Sequence, residues 1–447
     1  MHIADENIHQ ILKILKSMRI TNDAAFAAIF EPMSRCIFMA ALVVAFGFAQ
    51  NARAETADIS DELVHAIQLA VDTHPSIAAA RASARAAGSD VRSAKWLRFP
   101  SISVEGSLLD TSASGPQAQV VLDQPLWTGG RVSGTIARVI AQRGAAGALY
   151  DEAVLSIASS TAQSLYEVHR WRGRAEILDK SLVEHNRLVD TMQRRYTQEI
   201  SPLSDLELAQ SRALQVQMQI FMVRAQEASA LSRLREFTSD PFLTIGNLPA
   251  PPPEASWPTF DDGIIISQAI SFSPLLKRLD FDIQSNSAQV RVARASIMPQ
   301  LSSQYSYSDI FGHRFGFVLK AQTDGGLSRF ASADAAMQRA QASELQSAAG
   351  ERQVREQVFA LLREYESATS RLGGSKAASL ASERVMASYM RQFTSGRRTW
   401  IDVMNAVREA ATAEIETLEA QIASQSVLVR LMLLTGLWAP VAAEGSE

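Results

Sequence analysis

Cysteine is nearly absent from this chain of 447 residues, which contains only Cys36. Thirteen apolar residues begin at Cys36, directly after Arg35, and an Ala-x-Ala sequence ending at Ala54 follows them. This order predicts a secretory signal peptide cleaved after Ala54, because thirteen apolar residues are too few to span a bilayer. Residues 1–54 are therefore interpreted as leader and signal peptide. The mature chain would have no cysteine, which excludes disulfides and a cysteine nucleophile.

Other common functional signals are also missing. The net charge is −4 and no long basic run occurs, so nucleic acid is not an expected partner. No G-x-S-x-G sequence and no P-loop is present. Five histidines follow the signal peptide without metal-ligand spacing, and His169 and His185 are expected on helices in solvated or interfacial positions. The sequence thus predicts no catalytic residues, no metal site and no cofactor.

The chain does contain an internal repeat. Residues 75–100 and 274–299 have similar helical patterns, and each is bounded by two prolines. Further matches follow in the same order at a nearly constant offset: Gly129-Gly130 with Gly325-Gly326, Tyr196 with Phe393, Asp205 with Asp402, and residues 231–238 with 428–435. Five ordered matches predict a tandem duplication.

The repeat divides the chain into parts. The predicted boundaries are a first repeat at 55–237, a Pro-rich connector at 238–262, a second repeat at 263–437 and a short tail at 438–447. Each repeat should contain a helix of about 35 residues, two strands, a very long helix, a break, and a second helix of about 35 residues.

The very long helix of the first repeat should run from Arg131 to about Gln198, where no proline occurs and apolar residues recur in heptads. At ~1.5 Å per residue, about 68 residues extend roughly 100 Å. The sequence YTQEISPLSDL (196–206) interrupts helix-forming sequence at its end, and FTSGRRTWIDV (393–403) does so in the second repeat.

Four segments alternate between apolar and polar residues over nine or ten positions: 101–109, 117–126, 301–309 and 313–322. This pattern predicts transmembrane β-strands with one side toward lipid and the other toward a polar lumen. Two soluble hairpins packed on the helices are the alternative. Four strands cannot close a barrel, so membrane strands would require several copies of the chain. The residues predicted to face lipid are Val120, Tyr305, Tyr307, Phe315 and Phe317.

Over roughly residues 58–437, the sequence resembles the TolC-like outer-membrane efflux and secretion channels. The resemblance lies in the twofold repeat, in the RFP (98–100) and IMP (297–299) sequences before the strands, in QPLWTGGR (124–131) and in FTSGRRTWIDVMNA (393–406). It implies a mostly α-helical protomer with a β-barrel part, and a homotrimer with a 12-stranded barrel above a periplasmic helical tunnel. The implied partners are outer-membrane lipid, a periplasmic adaptor protein, and an inner-membrane ABC or proton-driven transporter.

In this resemblance, each break is a hairpin tip at the periplasmic end of the tunnel. Gly396 supplies a permissive backbone for the second turn, whereas Glu199 stands where the family has glycine in the first. A different shape or a different adaptor contact is therefore predicted for the first tip. The residues predicted to form the turns and contact an adaptor are Glu199, Ile200, Gly396 and Arg397.

The resemblance also implies a gate at the tips. Arg398 matches a family arginine that bonds a hydroxyl and an aspartate on the first tip, here Ser204 and Asp205, and Asp402 matches one acidic ring. Phe393 stands in place of a family tyrosine, and Asn405 in place of a second acid. A weaker latch and lower cation selectivity are therefore expected. The alternative is that these groups form ordinary surface ion pairs.

The function implied is that of an exit duct in a tripartite export system. The sequence GRRTWIDVMNAVRE (396–409) looks more like the members that serve type I protein secretion than the multidrug-efflux members. A multidrug efflux pump component therefore remains an alternative. A soluble periplasmic coiled-coil adaptor or scaffold is the alternative from a different class, and it would need no lipid-facing aromatic side chains.

Overall fold

The computed structural model describes residues 60–107, 117–246, 260–308, 312–321 and 327–440. The predicted signal peptide, Cys36 and most of the predicted connector lie outside the described residues. Eight helices and four strands follow one another in the described chain: α1 (Asp61–Thr73), α2 (Pro75–Trp96), β1 (Ser101–Ser107), β2 (Gln117–Trp127), α3 (Arg131–Thr197), α4 (Leu203–Thr238), α5 (Asp262–Phe272), α6 (Pro274–Ala295), β3 (Gln300–Ser308), β4 (Gly312–Lys320), α7 (Ser328–Thr394) and α8 (Trp400–Thr435).

The two halves of the chain have the same elements in the same order. The long helices α3 and α7 each contain 67 residues, α4 and α8 each contain 36, and α2 and α6 each contain 22. Each half also contributes two neighbouring strands. This is the architecture of a tandem-repeat protomer.

The first helix of each half differs from the prediction of one helix of about 35 residues. A proline at the first helical position, Pro75 or Pro274, divides it in two, because proline has no N–H and cannot continue a helix from the preceding turn. The residue before each proline caps the new helix. The imidazole of His74 accepts from the amide of Ser76, and the hydroxyl of Ser273 accepts from the amide of Leu276.

The helices lie side by side in a fixed order. Next to the strands, the neighbours are α2, α3, α6 and α7, whereas next to the two breaks they are α4, α3, α8 and α7. The long helices therefore extend through both parts, at ~1.5 Å per residue for roughly 100 Å. This row of helices has two lateral edges. One edge is formed by α4 and α2, and the other by α7.

Small residues allow the helices to approach closely. Ala158 and Ala209 are fully buried on α3 and α4. A Cβ atom at Gly144 would lie 2.5 Å from the ring of Phe281, so a larger residue there would have to displace this ring from the contact between α3 and α6. The composition, rich in Ala and poor in aromatic residues, follows from this packing.

The strands form one antiparallel sheet in the order β1-β2-β3-β4. β1 and β3 follow α2 and α6, and β2 and β4 precede α3 and α7, so the strand order repeats the helix order α2, α3, α6, α7. The observed strand ends differ from the predicted ones by one or two residues. A bulge between Pro125 and Trp127 accommodates the proline, which cannot donate a ladder hydrogen bond.

Among the residues that the structure describes, no helix combines the length and the apolarity that crossing a bilayer requires.

Candidate functional site

The sheet has one apolar face and one polar face. The register places Val120 opposite Tyr307 and Tyr305 opposite Phe315, and directly opposed residues point to the same side of a sheet. The mainly apolar face contains Ile102, Val104, Val120, Leu122, Leu301, Tyr305, Tyr307, Phe315, Phe317 and Leu319, together with Ser303 and His313. The mainly polar face contains Ser101, Ser103, Glu105, Gln119, Asp123, Ser302, Gln304, Ser306, Arg314 and Lys320, together with Val121 and Val318.

All five residues predicted to face lipid thus lie on one face. This face is open in a single chain, since Ile102 is 72% exposed and Phe315 is 71% exposed. On the polar face, the hydroxyl of Ser302 donates to the carboxylate of Asp123 across the sheet, at 3.0 Å. An uncovered apolar face of this kind indicates a surface that contacts a membrane or another protein.

The sheet also has two open edges. Within the described residues, β1 pairs only with β2, and β4 pairs only with β3. Each edge presents a row of backbone N–H and C=O groups that a further strand could bind.

The two tips have the same turn. At the first tip, the amide of Glu199 donates to the carbonyl of Tyr196 and the amide of Ile200 to that of Arg195. At the second tip, the amide of Gly396 donates to the carbonyl of Phe393 and the amide of Arg397 donates to that of Gln392, in the same pattern. This is a Schellman motif, in which one residue must be left-handed.

That residue is Glu199 at the first tip, with φ 56°, and Gly396 at the second, with φ 72°. The prediction of a different shape for the first tip was therefore wrong, because the hydrogen bonds of the motif hold the glutamate in a conformation that glycine adopts without strain. A different adaptor contact at the first tip stays a prediction.

The helices that follow the tips begin differently. Thr399 and Asp402 form a capping box at the start of α8, in which the amide of Asp402 donates to the Thr399 hydroxyl and the amide of Thr399 donates to the Asp402 carboxylate, both at 3.3 Å. At the corresponding position of α4, Pro202 provides no side-chain cap. The carboxylate of Asp402, predicted only as part of an acidic ring, is therefore also a helix cap. The T-x-x-D spacing is the sequence signal for it.

Arg398 binds groups of its own tip. Its Nε donates to the amide oxygen of Gln392 at 3.2 Å, its Nη1 lies 3.9 Å from the Asp402 carboxylate, and its guanidinium carbon lies 4.4 Å from the centre of the Tyr389 ring. Within one chain, the structure does not bring Arg398 to Ser204 or Asp205. The partners Gln392 and Tyr389 were not recognised from the sequence.

A buried apolar cluster lies behind the tips. Trp400, Phe393 and Val403 belong to it together with side chains from α3 and α4, namely Leu188, Met192, Leu206 and Ala209. The guanidinium of Arg195 covers the Phe393 ring at 5.7 Å. Phe393 is thus a core residue that joins the two tips, which explains why an apolar ring occupies this position.

The structure decides between the two positions expected for His169 and His185. They are only 3% and 4% exposed, so they lie at interfaces between helices and not in solvent. The ring Nδ1 of His185 is 2.8 Å from the Ser181 carbonyl oxygen. Burial and the nearby Arg172 guanidinium lower the pKa of His169 to about 4, so this imidazole is neutral at neutral pH. In the described part of the chain, no His, Cys, Asp and Glu side chains gather in a group that could hold a metal ion.

A row of helices with two hairpin tips at one end and a two-faced sheet at the other defines the protomer of a channel-tunnel. Residues 66–239 match the model of the family described as outer membrane efflux protein. A search of curated protein sequences finds no match.

Solved structures match over most of the chain. A membrane protein from Pseudomonas aeruginosa is similar with a TM-score of 0.75 at 17% identity, covering 85% of this chain and 93% of its own. The outer membrane protein VceC of Vibrio cholerae is similar with a TM-score of 0.72 at 16% identity, and the match covers 84% of this chain and 96% of VceC. The MtrE outer membrane channel of Neisseria gonorrhoeae, in its open state, is similar with a TM-score of 0.69 at 16% identity. The match covers 84% of this chain and 89% of MtrE.

At 16–17% identity, the solved structures show that this chain shares their fold. The family model adds a match in sequence over residues 66–239. The predicted fold class is confirmed. The match of residues 66–239 to the outer membrane efflux protein family supports the predicted family of TolC-like channels and the predicted outer-membrane localisation over a soluble periplasmic adaptor.

Proposed function

We propose that this chain forms a homotrimeric channel in which the sheets of three copies close a 12-stranded barrel in the outer membrane. The observation that carries the proposal is a sheet with one apolar face and two open edges. Open edges are not tolerated in lipid, since every backbone polar group must be paired there. Pairing β1 of one copy with β4 of the next satisfies both edges and continues the antiparallel order.

The lateral edges of the helices support the same arrangement. Both edge helices expose large apolar side chains: Leu214, Met218 and Phe221 on α4, and Leu345, Phe359 and Leu380 on α7. Joining α4 and α2 of one copy to α7 of the next would bury both sets, because α7 is long enough to lie beside both helices. A heterologous interface of this kind closes into a ring, and the helices then surround a tunnel below the barrel.

The apolar face provides the experiment. Val120→Arg should destabilise the barrel by ~2–4 kcal/mol, because it places a charge in lipid. The neighbouring Gln119→Arg places the same charge on the polar face and should cost much less. Folding of both variants into lipid vesicles, followed by urea titration, measures the difference. Equal destabilisation would contradict the assignment of the faces, and a monomer in mild detergent would contradict the trimer.

Outer membrane efflux channels typically work with a periplasmic adaptor and an inner-membrane transporter. The tips are suited to such contacts, because Ile200, Leu203 and Ile401 are exposed apolar residues around the two turns. We assign Glu199, Ile200, Gly396 and Arg397 to adaptor contact. A photo-crosslinking amino acid at Arg397 should capture the adaptor in living cells, whereas one at Ala86 on α2 should not.

The gate belongs to contacts between copies. Since Arg398 does not reach Ser204 or Asp205 in its own chain, we assign that latch to the tip of the neighbouring copy. The contacts of Arg398 with Tyr389 and Gln392 hold its side chain at the tip surface, where it can reach a neighbour.

For the exported material, we propose protein secretion of type I with an ABC transporter, supported by the sequence at 396–409. The description of the matching family favours a second candidate, an efflux pump for small molecules. Deleting the gene separates the two. Loss of a secreted protein from the medium with unchanged drug resistance supports type I secretion, and the reverse supports efflux.

A further inference from the structure

A cavity of about 790 Å³ lies across α8, between the long helices α3 and α7. Helix α8 contributes Ala420 and Ala423 to it, and their short side chains leave room between the two long helices. Gly374 of α7 also lines the cavity, and a Cβ atom built on this glycine would meet no atom within 4 Å. The space is thus comparable to the pockets of ~300–1,000 Å³ that bind small organic molecules.

Two arginines that line the cavity have unused hydrogen-bond donors. The Nε of Arg170 on α3 is buried and has no hydrogen-bond partner in the described part of the chain. The Nε of Arg371 on α7 donates to the Ser367 carbonyl oxygen at 3.3 Å, and its two terminal nitrogens have no partner among the described residues. Buried donors in proteins are nearly always paired, so the unpaired nitrogen of Arg170 indicates an acceptor from outside the chain. Guanidinium groups bind carboxylates and other oxyanions strongly.

The acidic residues of the cavity limit the charge of such an anion. The Nη1 of Arg174 lies 3.4 Å from the Glu419 carboxylate and neutralises it. Glu416 lines the cavity without an ion-pair partner among the described residues. Arg170, Arg371 and Arg174 together with the two glutamates therefore carry a net charge of +1. A ligand with a single negative charge balances this charge.

Trp171 gives the cavity an aromatic wall. Its indole packs against the apolar cluster that contains Leu178 and Ile220, which holds the ring in place. The same side chain lines the cavity, next to the alanines of α8. An aromatic ring beside small apolar groups is a suitable surface for the apolar body of a ligand, whereas the arginines suit its acid group.

The second half of the chain shows that the fold does not need Arg170 and Trp171. Aligning the two 67-residue helices α3 and α7 from their first residues pairs Arg170 with Ser367 and Trp171 with Ala368. Ala368 is fully buried. Small residues thus fulfil the structural role at these two positions of a long helix, and the arginine and the tryptophan of α3 require another explanation.

The cavity opens on the face of the helical row opposite α1. His169 of α3 faces α1, because its Nε2 lies 3.6 Å from the Glu62 carboxylate. At ~100° per residue, Trp171 is turned about 200° away from His169 around the helix axis. In the proposed ring, α1 and its equivalents in the other copies would obstruct the tunnel if they lay inside it. The opposite face, with the cavity, is then the one that faces the tunnel.

We propose that this cavity is a binding site for a small organic monoanion. Its acid group is bound by Arg170 and Arg371, and its apolar or aromatic body lies against Trp171 and the alanines of α8. The binding chemistry depends on one chain alone, whereas the position in the tunnel wall rests on the proposed channel. A molecule bound there narrows the tunnel and reduces the flow of ions through it.

Calorimetry with 1-naphthalenesulfonate, an aromatic monoanion, tests the binding chemistry in full-length protein in mild detergent, with the heat of titration into detergent alone subtracted. Arg371→Ala should weaken binding about tenfold, because the ligand loses charge-assisted hydrogen bonds. Arg371→Lys keeps the charge and should weaken it less. Arg384→Ala is the matched control, since the Nε of Arg384 likewise donates to a backbone carbonyl of α7, that of Leu380 at 3.0 Å, but this arginine does not line the cavity.

Two further titrations separate this site from unspecific uptake of an aromatic ring. Gly374→Leu fills the cavity and should abolish binding. The cation 1-naphthylmethylammonium should bind at least about tenfold more weakly than the sulfonate, because it meets two guanidinium groups. Equal affinities of the wild type and Arg371→Ala, or of the anion and the cation, would show only partition of the ring and would overturn the site.

Single-channel recording in planar bilayers tests the position in the tunnel. 1-Naphthalenesulfonate should reduce the current through the wild type and reduce that through Arg371→Ala much less. Binding in calorimetry without any block of the current would overturn the placement on the tunnel face. If the protein forms no conducting channel, the proposed function fails, and the calorimetry still decides whether the binding site exists.

Discussion

The two tips share one backbone conformation but are stabilised in different ways. The first tip has a strained left-handed Glu199 and an uncapped helix start at Pro202. The second has Gly396 and the capping box of Thr399 and Asp402. The shared turn shows that the tertiary fold determines the shape, since α3 and α7 must both reverse direction at the same height. The local residues determine how firmly each turn is held, and by this measure the first tip is the weaker one.

This difference also separates the two aspartates. Asp402 accepts from the amide and the hydroxyl of Thr399. The corresponding Asp205 has no such cap partner three residues before it, because Pro202 has neither N–H nor hydroxyl. Asp205 is thus the more available acceptor for an arginine of a neighbouring copy. In the proposed gate, the weaker tip would be the receiving side.

The largest effect is expected from the cluster that both tips share. Trp400→Ala should cost ~3–5 kcal/mol of local stability, because it leaves a cavity among side chains from four helices. Hydrogen exchange should accelerate at both tips, measured by mass spectrometry on peptides covering 190–206 and 390–406. Trp127→Ala, at the far end of the molecule, is the control. Acceleration confined to the second tip would show that the tips are not coupled through this cluster.

Replacing the residue in the left-handed conformation at each tip should change the stabilities of the two tips in opposite directions. Glu199→Gly should stabilise the first tip by ~1 kcal/mol, and Gly396→Ala should destabilise the second by about the same amount. No atom lies within 4 Å of a Cβ built at Gly396, so the cost there is conformational only. The same exchange measurement reports both changes. Effects of the same sign at the two tips would contradict the strain assigned to Glu199.

Removing the capping box should lower the local stability of the second tip toward that of the first. Thr399→Ala is expected to cost about 1 kcal/mol, because the amide of Asp402 loses its acceptor. Ser204→Ala, on the first turn of α4, is the matched control and should change local stability by less than ~0.5 kcal/mol. If Ser204→Ala is equally destabilising, the first tip has a cap that the comparison has overlooked.

The smallest free energy belongs to the proposed latch between copies. An exposed ion pair of an arginine contributes ~0–1 kcal/mol, but in the proposed trimer three such pairs would act together at one constriction. Arg398→Ala should increase single-channel conductance in planar bilayers, whereas Arg398→Lys, which keeps the charge, should change it less. Asp402→Asn should reduce block by divalent cations added on the tip side. Unchanged conductance and block in these variants would place the latch elsewhere.

Much of the fold could be predicted from patterns that extend over many residues. The alternation in the strands located them to within two residues, and the heptads gave the long helix, which ends at Thr197. The division of the first helices at Pro75 and Pro274 was visible in the sequence but was missed, because the flanking segments share one helical period. Proline after a capping residue should have been given more weight.

The tips could be located from sequence but not described. The break at Gly396 indicated a turn, but the left-handed Glu199 has no local signal, because its conformation is imposed by the helices on either side. The partners of Arg398 were equally hidden. Gln392 and Tyr389 come within reach only once the chain has reversed direction, and a pattern read along the chain does not measure that distance.

The sheet has a consequence for the order in which the molecule can be made. The pairs β1 with β2 and β3 with β4 are local hairpins, whereas β2 pairs with β3 across α3, the first tip, α4, α5 and α6. Closing that long intervening segment is the slow entropic step, so the hairpins can form early and the central pair must wait for the second half of the chain. In the proposed assembly, insertion into a membrane then has to follow translation of nearly the whole polypeptide, and the two outer strands would be the last to find partners.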